Sequence, residues 1–368
     1  MANDDTDRTA PGRVPVLDLL RMLAILGVIL FHYGFLGPTA IGTAKVALPG
    51  WASFARYGFL GVPVFFVISG FVIAYSAAGR TAMSFGIARI ARIYPGFIIC
   101  MTATFLVTLM IGGSAFHTSV AQWAANLIVA APVFHQPYMD LPYWSLVIEI
   151  TFYAWVTVLM ALGLFPRRID LIVVVWLGIS MANELTFDSR AIERIFLSDY
   201  SGFFTTGLLI YEIHRGRRDA LLYWLLSLAM GTAVFQAVHG LSWLRYHTDT
   251  NFSSWIAGTI CLSSMLLIIW AVHVRRVPIP AGLTLAIGGM TYPLYLLHQQ
   301  IGYVALHWIG PVEYPTLLVA AIMTAIALVS LIVWKYVEPP CHRWMKRTLT
   351  RLCTQIGRPA AIRNGVGL

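Results

Sequence analysis

Charge is what this sequence has least of. Asp, Glu, Lys and Arg together make up 11% of its 368 residues, where an ordinary soluble domain carries about 25%. That is too little to cover a water-facing surface, so two soluble domains, which the length alone would allow, are excluded. An apolar fraction of 58% also excludes a disordered chain and a collagen. Cysteine is scarce, with 4 residues in the whole chain. Cys100 and Cys261 fall in apolar runs, and Cys341 and Cys353 in a basic tail expected on the reducing side, so disulfides are not expected. Familiar catalytic signatures are missing as well: no Gly-x-Ser-x-Gly elbow, no P-loop, no dinucleotide fingerprint and no Cys-x-x-Cys pair. Neither an internal repeat nor a low-complexity stretch is present.

What the chain does have is a succession of apolar runs, each long enough to cross a bilayer at about 20 residues per span. We read spans near 17–36, 58–78, 93–113, 143–165, 169–186, 200–213, 220–239, 252–273, 283–309 and 315–337. The expected fold is all-α, a polytopic membrane bundle of about ten helices. The window 120–138 is apolar but short, and it carries Pro132, His135 and Pro137. It is expected to be a re-entrant or interfacial piece whose backbone is covered by protein. A 1–16 tail, a 17–340 transmembrane domain and a basic 341–368 tail complete the expected organisation.

The cations supply an orientation. With both termini in the cytoplasm and ten crossings, 19 of the 25 Lys and Arg residues fall inside. Lys45, Arg56, Arg190, Arg194 and Arg245 fall outside, and Arg21 lies within the first span. This is the positive-inside pattern. The formal charge of +9 is therefore mainly a topology signal, aided by attraction to anionic lipid. No nucleic-acid-binding motif accompanies it, so no nucleic-acid partner is expected.

Ionisable side chains inside spans are costly and mark function by default. In LDLLRMLAILGVILFH, Arg21 and His32 are separated by eleven helical steps. They share one face, about 16 Å apart along the axis, with Asp18 one turn below Arg21. The plainer alternative is a snorkelling arginine and a packing histidine. In RIARIYP, Arg89 and Arg92 share a face and form a double fork suited to a phosphate or diphosphate, unless they only anchor the helix end. Glu149 in YWSLVIEITFY is expected to handle a proton or to pair structurally with an arginine. His298 in TYPLYLLHQ matches the depth of His32, so His32, Glu149 and His298 are expected to converge. No local spacing supports a metal site. Ser69, with Gly70 beside it, reads mainly as a close-packing position.

These motifs resemble the integral-membrane acyltransferase-3 family, which O-acylates bacterial surface glycans, Nod factors and macrolides. The correspondence runs through the Leu17–His32 opening, Gly61 to Phe71 and Arg89 to Pro95. It continues through Trp144 to Glu149, Thr291 to His298 and Val337 to Pro340. Each motif is weak alone, but six in order are specific. The resemblance implies an enzyme, a multi-pass protein of the inner (plasma) membrane. Its donor is acyl-CoA, with acetyl-CoA as the default, and its acceptor is a glycan, lipid-linked saccharide or macrolide-like hydroxyl compound. On this layout Arg21, Arg89 and Arg92 bind the donor, and His32 is either general base or acyl carrier, with Glu149 and His298 assisting. A proton-coupled transporter of such compounds is the rival reading, because buried His and Glu suit it too.

Overall fold

The structure, a computed structural model, describes residues 14–40, 48, 50–274, 277–310 and 312–356. The ends of both expected tails, including Arg8, Arg13, Arg358 and Arg363, lie outside the described residues, as do Lys45, Arg275 and Arg276 of the charge pattern. The described residues form helices and turns, with no strand among them. The long helices are α1 (Pro15–Phe31), α2 (Gly61–Ala77), α3 (Ala82–Ile111), α4 (Trp144–Ala161), α5 (Ile169–Ala182) and α6 (Ser201–His214). They continue with α7 (Ala220–His239), α8 (Ser254–Ala271), α9 (Ala281–Ile309), α10 (Pro315–Ile332) and α11 (Glu338–Ile356).

Among the described residues, eight helical stretches are long and apolar enough to cross a membrane. They are those carrying α1 to α5, α7 and α8, with α10 and α11 as one continuous rod. Two spans read from the sequence are not among the eight. At 14 residues, α6 extends about 21 Å, less than the roughly 30 Å of a hydrocarbon core. Every residue from Ser201 to Ile213 is buried, so α6 is a central post sheathed by α2 and α7 and need not match lipid thickness. The other, α9, is long enough at 29 residues, but Thr291, Tyr292, Tyr295, His298, Gln299 and Tyr303 interrupt its apolar pattern. It packs against α1, α3 and α10, and those polar side chains face protein.

Close helix approach rests on glycine. Gly70 of α2 meets Gly207 of α6 backbone to backbone, and a Cβ on either would collide with the other helix. This small-residue contact is the role expected for the Ser69–Gly70 pair, and it turns Ser69 toward α4.

The 120–138 window does not cross. It forms two short helices, Val120–Asn126 and Ala131–Phe134, fastened by the fully buried Asn126. The Asn126 amide donates to the carbonyls of Gln122 (2.9 Å) and Pro137 (3.0 Å), and its carbonyl accepts from the Met139 N–H (2.9 Å). Such pairing lets irregular backbone sit inside a bundle.

Two boundaries differ from the sequence reading. Instead of starting at 93, α3 begins at Ala82, capped by the Thr81 hydroxyl on the Ser84 N–H. The helix α11 runs through the expected boundary at 340, with Pro339 and Pro340 inside its first turn. A wide π-turn at Val333–Val337 precedes them. Proline lacks the N–H that an α-ladder needs but is tolerated in a helix's first turn, where α11 places both.

Candidate active site

Where α1 ends, its ladder widens into a second π-turn, His32–Ala40, which contains Pro38. This π segment is 9 residues long, and His32 is its first residue. His32 is 7% exposed. Its ring centroid lies 5.1 Å from that of His298 on α9, so the two histidines matched for depth in the sequence do meet. The Tyr303 hydroxyl is 3.1 Å from the His32 carbonyl, to which it donates, and 3.4 Å from His32 Nδ1. Because that hydroxyl proton is spent on the carbonyl, the tyrosine oxygen receives Nδ1–H, and Nε2 keeps its lone pair. His298 is arranged likewise. Its Nδ1 is 2.7 Å from the Tyr295 carbonyl, which fixes the proton there, and its Nε2 is buried without a partner. Tyr33 donates to the His298 carbonyl and holds this turn of α9 against α1.

Arg21, Arg89, Arg92 and Glu149 lie elsewhere, together. They line a cavity of about 340 Å³ with Ser69, Tyr153, Thr291, Tyr292 and Tyr295. Arg21 pairs with Asp18 at 3.0 Å, as the helical spacing predicts. Arg89 lies over the Phe85 ring, and its buried Nε has no partner. Arg92 lies over Tyr292 and forms a 3.0 Å ion pair with Glu338 at the start of α11. Glu338 approaches so closely that a Cβ on Gly96 would lie 2.7 Å from its Oε1. Glu149 accepts from Ser69 (3.3 Å) and from the Tyr153 hydroxyl one turn away. Its hydrogen bonds go to these two groups and not to a histidine. The expected convergence of three residues is thus two adjoining places.

Tyr295 is the partition between them. It lines the cavity, and its ring is 5.6 Å from His298. Its hydroxyl is held by Ser145 (2.7 Å) and the Pro142 carbonyl (3.1 Å).

Sequence reasoning assigned no role to Tyr153, Glu338, Tyr303 or Asp140. Tyr153 was accessible to it, four residues after Glu149 on one helix face, and Glu338 was the lone acid of its motif. Tyr303 and Asp140 gave no local signal, because their partners come from distant helices. Asp140, just before α4, is 1% exposed. One carboxylate oxygen accepts from the Gln300 N–H (3.1 Å), two residues from His298, and the other has no partner. Burial pushes its pKa up to about 8, against the pull of the Gln300 and Leu141 N–H groups. Its unfolded pKa is near 3.9, so the neutral carboxyl favours the folded state most at low pH. That contribution declines as pH rises toward 8 and is gone above it. The thermal midpoint of the purified protein should therefore fall between pH 5 and 8. Asp140→Asn should flatten this slope, and an unchanged slope would show that Asp140 is already ionised.

Comparison with known proteins identifies the family. Residues 14–335 match the acyltransferase domain of the acyltransferase-3 family. The chain belongs to that family. Nodulation protein 10 of Rhizobium leguminosarum bv. viciae is 25% identical over 89% of this chain and 92% of its own length. A putative O-acetyltransferase of Staphylococcus aureus (strain COL) is 32% identical over 40% of this chain and 24% of its own length. Acyltransferase MdmB of Streptomyces mycarofaciens is 30% identical over 38% of each chain. No solved structure matches. The acyltransferase-3 chain is thus an acyltransferase with a multi-pass helical architecture, and an acyl donor belongs to its chemistry. Among the described residues no three His, Cys, Asp or Glu side chains group as metal ligands.

Proposed function

We propose that this acyltransferase-3 protein moves an acyl group, acetyl by default, from acyl-CoA to a hydroxyl of a glycan, lipid-linked saccharide or macrolide-like metabolite. It would work in the inner (plasma) membrane with both termini in the cytoplasm, residues 17–340 forming the catalytic bundle between tails 1–16 and 341–368. The observation that carries the reading is the pairing of a three-arginine cavity with two imidazoles, one tyrosine apart. Arg89 and Arg92 take the donor diphosphate, and the partnerless Arg89 Nε is a donor suited to such an anion. Arg21 lies on the face of α1 that leads to His32. The extended pantetheine arm spans the remaining distance, and a small turn of Tyr295 opens the way to His32.

There His32 Nε2 removes the proton of the acceptor hydroxyl as its oxygen attacks the thioester carbonyl. The tetrahedral intermediate collapses with rupture of the C–S bond, and the departing thiolate takes the proton back from His32. Tyr303 holds the imidazole, and His298, its ring centroid 5.1 Å away, assists. Glu149, with Tyr153 and Ser69, orients the thioester end of the cavity. Family membership favours this reading over a transporter. Purified protein should release thiol from acetyl-CoA only when an acceptor of one of these classes is present. Absence of acceptor-dependent release with all three would contradict the assignment.

A further inference from the structure

The basic helix α11 has no role in the chemistry above, yet it is tied to the cavity wall. Its first residue, Glu338, pairs with Arg92. One turn on, His342 lies in the field of Arg92, Lys346, Arg89 and Arg343. Packed on α3, α11 therefore leads away from the donor cavity while presenting an outward face of its own.

That face carries Arg343, Arg347 and Arg351 at four-residue spacing, with Trp344 beside the first two. All four are exposed, Trp344 to 65%. Among the described residues none of the three arginines has an ion pair, and α11 has no acid after Glu338. Residues 357–368 contain no acid either. Unneutralised guanidiniums flanking a free indole form a surface for a phosphorylated nucleoside. The forks take phosphate oxygens, and the indole offers a stacking face for a base. Arg343 is five residues beyond Glu338, about 7.5 Å along the helix axis, and Arg347 is about 6 Å further.

We propose that Arg343, Trp344 and Arg347 form the subsite for the 3′-phosphoadenosine end of coenzyme A, the arginines holding the 3′-phosphate and Trp344 the adenine. This rests on the acyl-CoA reading of the cavity: diphosphate on Arg89 and Arg92, nucleoside end on α11. The rival occupant of so basic a face is anionic lipid.

The test uses the full chain in nanodiscs of purely zwitterionic lipid, with CoA and 3′-dephospho-CoA as the probes. Native protein should bind CoA at least about tenfold tighter than 3′-dephospho-CoA, the loss expected for one charge-assisted contact. The double variant Arg343→Ala, Arg347→Ala should bring the two affinities together. Arg89→Ala should weaken both and preserve their ratio. Trp344→Ala should weaken both without removing the preference for the 3′-phosphate. Equal affinities in the native protein, or a ratio that survives the double variant, would overturn the α11 subsite while leaving the donor cavity standing. No binding of either probe would overturn the acyl-CoA reading itself. A double variant that keeps the ratio but loses binding to phosphatidylglycerol vesicles would assign the face to lipid.

Discussion

Replacing His32 with alanine should lower kcat for acyl transfer by about 10²–10⁴-fold, the usual contribution of a positioned general base. The effect should fall on kcat, because His32 does not line the arginine cavity and the donor should bind as before. His32 is nearly buried, with Tyr303 as its polar neighbour and the His298 ring beside it. Truncation leaves a small void and no orphaned charge, so the bundle should still assemble. His32→Gln, which keeps volume and polarity without the base, should be as inactive as the alanine variant. If both variants turned over at the native rate, with donor KM unchanged, the imidazole would have no part in the chemistry.

The second large effect is expected at the cavity. Each phosphate contact from a guanidinium contributes about 1.5–3 kcal/mol, so losing Arg89 and Arg92 together should weaken donor binding by about 10²-fold or more. Acceptor affinity should barely change. The double alanine variant carries a complication that the structure makes explicit. Arg92 is the ion-pair partner of Glu338, whose side chain is only 8% exposed against 45% for the arginine, so its removal strands a buried carboxylate. Adding Glu338→Gln should restore yield and thermal stability and leave donor affinity low. Recovery of donor binding along with stability would make the arginines structural. Equal losses for donor and acceptor would say the same.

Much of this site was legible because helical arithmetic works inside a span. The one-face spacing of Arg21 and His32, the shared face of Arg89 and Arg92, and the matched depths of His32 and His298 all follow from residue counts along regular helices. Scarcity of charge together with apolar runs of bilayer-spanning length was enough for the fold class. What stayed hidden depends on how helices pack. Glu149 was expected beside the histidines, but a position along a helix does not report azimuth, and α4 turns it toward Ser69 and Arg89. Tyr295, the partition, looked like one aromatic among many. The π-turns at His32 and Val333 leave no local signature beyond a nearby proline. That is why 341–368 read only as a basic tail and why the relation of α11 to Arg92 could not be foreseen. The start of α3 was misjudged because its first turns are only partly apolar.

One path should join an arginine-held thioester to an imidazole that activates a hydroxyl. It is tested most directly by incubating the native chain and His32→Ala in proteoliposomes with acetyl-labelled acetyl-CoA and acceptors of the three proposed classes. Acceptor acylation is read by mass spectrometry, and thiol release in parallel. The native chain should release one thiol per labelled acceptor, and His32→Ala should bind donor without transferring it. Thiol release with no labelled acceptor, or label transferred equally well by His32→Ala, would contradict it.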